Sequence, residues 1–206
     1  MIVAEVVERW SPGIGDPTLV GWFTVFAYFW TAWACLRARY SVGAARGSRG
    51  EAFWGVLALV LVGLGINKQL DLQGLLAMWG RDLAHAQGWY ESRELVQILF
   101  IMMLGGMGLL VVAAVGWWLR DKLRQLWIPL VGFAFLVLFV FVRAASFHHM
   151  DRLIGWRFVG LRINWILELG GILLVLHGAR VFERAARRRR RQRWVKSAGS
   201  HTRPTA

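Results

Sequence analysis

Five long apolar runs, at residues 19–36, 52–66, 95–119, 126–142 and 163–182, dominate what this chain can fold into. About 20 predominantly apolar residues carry an α-helix across the hydrocarbon of a bilayer. Within that layer every backbone polar group must be satisfied inside a helix or a closed barrel. The runs are continuous and lack the alternation of a transmembrane barrel. The expected fold is therefore all-α: a polytopic membrane bundle of about five helices. At 206 residues the chain has no room for a separate globular domain. Residues 1–182 are expected to form one membrane-embedded bundle, and residues 183–206 a basic, disordered cytoplasmic tail. The run at 52–66 is short for a span, so its helix is expected to continue through Asn67, Lys68, Gln69 and Asp71, taking polar side chains into the membrane or its interface.

Charge orients the bundle. Basic residues accumulate on the cytoplasmic side of membrane helices. With five spans, seventeen of the 25 Lys and Arg residues fall on one face and eight on the other. The N terminus is accordingly expected outside and the C terminus inside. The first residues hold Glu5, Glu8 and Asp16 but only Arg9, which is not the positive start of a secretory signal, so the first helix is expected to be retained. The block Arg187–Arg191 suits topology and anionic lipid headgroups, at about 1 kcal/mol per basic residue near the surface; a nucleic-acid partner is not expected. Trp22, Trp30, Trp33, Trp54, Trp117, Trp118, Trp127 and Trp165 read as interfacial anchors. Cys35 is the only cysteine, which rules out an internal disulfide.

The uncommon polar groups gather at the outer ends of the spans. Asn67, Lys68, Gln69 and Asp71 close the second; His85 lies in the loop that follows; Glu91 and Glu94 open the third. Arg143, Ser146, His148, His149 and Asp151 end the fourth, and Arg162, Asn164 and Glu168 open the fifth. Residues three or four apart share a helix face, which pairs Asn67 and Lys68 with Asp71, His148 with Asp151, Ser146 with His149, and Asn164 with Glu168. Glu168 carries the most weight, because an acid inside a membrane helix faces a bundle interior, a watery cavity or a partner charge. Arg143 and Arg162 are its expected partners. Glu168, Asp71 and Asp151 are the candidate catalytic carboxylates. His85, His148 and His149 are candidate ligands for a divalent metal such as zinc, which takes mixed nitrogen and oxygen donors.

The strings GINKQLDLQ at 65–73, QGWYESR at 87–93 and RAASFHHMD at 143–151 resemble segments of uncharacterised bacterial integral membrane proteins. The resemblance runs from the second span to the fifth and implies a multi-pass protein of the bacterial inner membrane, without an activity. A membrane layer of Ser, Asp and His is also similar to that of the ceramidase-like metal hydrolases. This chain departs from their seven helices and lacks their HxxxH pair, so no ligand set carries over. Two functions follow from the polar layer. One is a hydrolase acting on a lipid-linked or amphiphilic substrate, with a metal-bound water or a carboxylate doing the chemistry. The other is a non-enzymatic subunit or binding protein that uses the layer for a ligand or for assembly with other membrane subunits. The orientation has a direct check: in intact cells, an impermeant thiol reagent should label His85→Cys and leave Ser200→Cys unlabelled, and the reverse pattern would invert the topology.

Overall fold

The computed structural model describes residues 18–41, 48–70, 93–146, 157–158 and 161–200, with side chains at 18–41, 48–70, 99–144 and 163–192. Five helices dominate it: α1 (Leu19–Ser41), α2 (Arg49–Leu70), α3 (Arg93–Trp118), α4 (Leu123–Ser146) and α5 (Ile163–Ser200). Each contains a segment long and apolar enough to cross a membrane. A 3₁₀ turn at Arg120–Lys122 joins α3 to α4, and a minimal antiparallel pairing of Arg157–Phe158 with Leu161–Arg162 precedes α5.

Local chemistry sets the helix starts. Thr18 Oγ1 accepts from the Gly21 N–H at 3.0 Å to cap α1, and Ser48 Oγ accepts from the Glu51 N–H at 3.3 Å to cap α2, each satisfying an orphan donor of a first turn. At their far ends the helices outrun the apolar runs. Helix α2 continues through Asn67, Lys68 and Gln69 to Leu70, as the short second run requires. Helix α5 passes Phe182 unbroken and carries the arginine block as helix to Ser200, where the sequence alone suggests a disordered tail. Arg, Gln and Ala are good helix formers, and a helix already nucleated in the apolar segment propagates through them.

The principal contacts place the helices in the order α2, α1, α5, α4, α3, with α4 against α5 the most extensive interface. Helix α3 packs chiefly on α4, and none of its span from Leu99 to Trp118 is buried. The core runs between the others. Tyr28, Ala32, Cys35 and Ala38 form one face of α1, spaced at helical intervals, against Trp54, Leu57 and Leu61 of α2 and Ile172, Val175 and Ala179 of α5. Trp54 is fully buried, its ring 5.4 Å from that of Phe53 and 5.5 Å from that of Phe182, so it is a core residue and not an interfacial anchor. The other seven expected anchors are exposed.

Missing side chains bring α4 and α5 together. A Cβ on Gly132 would lie 2.9 Å from the Gly171 carbonyl oxygen and from the Val175 backbone nitrogen. One on Gly178 would lie 2.6 Å from Cδ of Pro129, the proline inside α4. Without a hydrophobic driving force between helices in lipid, such close approach supplies the packing energy. Gly132→Ala should therefore destabilise the detergent-solubilised protein by about 1–3 kcal/mol, the usual cost of overpacking. Gly106→Ala, on α3 with nothing within 4 Å of the added carbon, should cost nothing. Thermal unfolding of the two variants side by side checks the difference.

Candidate functional site

The polar site brings together the first half of α1, the end of α2 and the start of α5. Glu168, in the second turn of α5, is 3% exposed. Lys68, in the last turn of α2, places its Nζ 3.0 Å from each carboxylate oxygen. Tyr28 on α1, also buried, donates its hydroxyl to Glu168 Oε1 at 3.2 Å. Three helices thus converge on one carboxylate. Tyr28 is about 14 Å along α1 from Leu19 at 1.5 Å per residue, deeper than Glu168 along α5, but helical side chains tilt toward the N terminus of their helix, which directs its hydroxyl to the level of Glu168. Gly65 makes room for it: a Cβ there would stand 3.2 Å from Tyr28 Cβ.

Unsatisfied amides flank the pair. Gln69 follows Lys68, and among the described residues both its Nε2 and its Oε1 are buried without a hydrogen-bond partner. Asn164 lies one turn before Glu168 on the same face of α5, and its Oδ1 is likewise buried and unbonded among the described residues. Thr31 Oγ1, one turn along α1 from Tyr28, is a further buried atom with no partner. Leaving such a group unsatisfied costs about 1–3 kcal/mol.

The sequence points to Arg143 and Arg162 as partners of Glu168; among the described residues Glu168 forms a salt bridge with Lys68, which the sequence did not single out as its partner. Arg143 is half-buried near the end of α4. Asn67 is half-buried beside Lys68 on α2. Glu94 and Ser146 belong to the first turn of α3 and the last residue of α4, and Arg162 to the short pairing before α5; their side chains lie outside the described residues, as do Asp71, Glu91, His85, His148, His149 and Asp151 altogether. The expected metal ligands fall in that set. Among the described residues, no three His, Cys, Asp or Glu side chains gather as a metal site. Tyr28 is the member that sequence reasoning misses. Its signal was available: a tyrosine within an apolar run needs a partner for its hydroxyl when buried, and Thr24 and Thr31 flank it at helical spacing.

Comparison with protein families, curated proteins and solved structures finds no match to this chain. The chemistry of the site must be read from its own geometry. A lysine and a glutamate with side chains 12% and 4% exposed neutralise each other where neither could remain alone. Lys68→Met or Glu168→Leu should each destabilise the protein by about 3–5 kcal/mol, because each strands a buried charge. The double variant should recover much of that loss. A double-mutant cycle by thermal unfolding in detergent checks it, and additive losses would show that the pair does not hold the three helices together.

Proposed function

We propose that this chain is a multi-pass protein of the bacterial inner membrane that binds the polar group of an amphiphilic ligand at the buried polar cluster around Lys68 and Glu168. The N terminus faces outward and the C-terminal arginines inward, on the support of the seventeen-to-eight division of basic residues. The ligand then enters from the outer leaflet.

The observation that carries this reading is the set of orphaned amide atoms beside a saturated ion pair. Buried polar groups in folded proteins are nearly always bonded, and exceptions need a role. Lys68 and Glu168 compensate each other, so the cluster does not demand a charged ligand on their account. Gln69 offers two donors and an acceptor, and Asn164 an acceptor. The complementary chemistry both donates and accepts: a hydroxyl or amide headgroup fits. Glu168 is committed to Lys68 and Tyr28, which suits positioning more than proton transfer and favours binding over hydrolysis.

Gln69→Met separates a ligand-binding amide from an accident of packing. It retains length and volume while removing two unsatisfied atoms, so ligand-free protein in detergent should gain about 1–3 kcal/mol in stability. Mass analysis of the organic extract of purified protein should find an amphiphile enriched over a detergent blank in the native chain and depleted in the variant. Equal retention by both, or no enrichment in the native chain, would overturn the binding role.

A further inference from the structure

At the opposite end of the bundle, the last turns of α1 and the arginine-bearing part of α5 form an open surface cavity of about 390 Å³, lined by Arg37, Tyr40, Ser41, Glu183, Arg187 and Arg190. Its volume is within the range of small-molecule sites. Three arginines face one glutamate, leaving two positive charges in excess. We propose that this cavity binds a membrane lipid whose phosphate headgroup carries two negative charges.

Glu183 organises the site. Its Oε1 accepts from Arg37 Nη2 at 2.7 Å and Nε at 3.1 Å, and from Arg187 Nη2 at 2.6 Å. One carboxylate oxygen therefore holds two guanidinium groups in place while cancelling one of their charges. Each guanidinium has five N–H donors in a planar fork, a geometry that matches phosphate oxygens. Arg37 and Arg187 retain donors not used on Glu183, and Arg190 contributes its own. Ser41 Oγ donates to the Ala38 carbonyl at 2.7 Å and closes the end of α1, so the donors facing a ligand are those of the arginines and Tyr40.

Position favours a lipid over a soluble phosphate. The Arg37 guanidinium stacks 4.6 Å over the ring of Trp33, whose indole is 48% exposed on the apolar outer surface of α1. Exposed indoles of membrane helices sit at headgroup level, so the arginine behind this one stands at the depth of lipid phosphates. Basic pockets between membrane helices are suited to multiply charged headgroups. The neighbouring arginines of the block attract any anionic surface, whereas the cavity adds fixed geometry.

The test uses the full chain in detergent micelles doped with cardiolipin, phosphatidylglycerol or phosphatidylcholine at equal lipid phosphate, or supplied with inorganic phosphate. Thermal unfolding reads the midpoint of stabilisation. Cardiolipin should stabilise at a concentration at least about tenfold lower than phosphatidylglycerol, a difference of about 1.4 kcal/mol, and phosphatidylcholine should have no effect. Arg187→Gln with Arg190→Gln should abolish the preference, while Arg188→Gln with Arg191→Gln, an equal loss of charge outside the cavity, should leave it intact. Equal weakening by both pairs would reduce the effect to diffuse attraction and overturn the site. Stabilisation by inorganic phosphate equal to that by cardiolipin would overturn the assignment to lipid.

Discussion

A charge in hydrocarbon must be neutralised, and the Lys68–Glu168 pair meets that requirement with groups from two helices and a hydroxyl from a third. The demand is one of geometry as much as energy. Helix α2 must run to Lys68, α5 must begin soon enough before Glu168, and α1 must present Tyr28 between them. The absent side chain of Gly65 and the small residues along α1 let these helices approach closely enough for the contacts to form. The pair is better understood as a specification of helix register than as a source of net stability, since desolvating both charges offsets much of their attraction.

The two ends of the bundle use charge differently. At the buried end, both partners are shielded and the attraction is strong and unscreened. At the arginine end, Arg39 meets Glu51 at 3.4 Å and Arg49 meets Asp121 at 3.2 Å with side chains largely or partly exposed, and such contacts contribute about 0–1 kcal/mol each. There, the arginines matter mainly through the field they present to headgroups.

The architecture was legible in the sequence because hydrocarbon imposes a length on each span, and four of the five runs came close to it or met it. The extension of α2 through Gln69 was legible for the same reason: fifteen apolar residues are too few. Glu168 stood out as an acid within an apolar helix. Its partner did not, because a choice among Lys68, Arg143 and Arg162 depends on the rotation of separate helices, which composition does not encode. Trp54 escaped correct placement because an indole near a span end satisfies an interfacial pattern whether it faces lipid or core. Tyr28 was hidden among the apolar residues that surround it, and the arginine block hid a helix behind its charge.

Lys68 and Glu168 are 100 residues apart, and that separation bears on how the protein is made. At synthesis rates of about 5–20 residues per second, the lysine emerges about 5–20 s before its partner. For that interval α2 must reside in or beside the membrane with an uncompensated ammonium. The last turn of a helix is the place where this is tolerable, because a long side chain there can reach up to the headgroups and remain hydrated. The same lysine in the middle of α2 would have no such refuge. The position of Lys68 thus suits a helix that enters the membrane before its partner, and the contact that joins α2 to α5 through Glu168 forms only once α5 has been delivered.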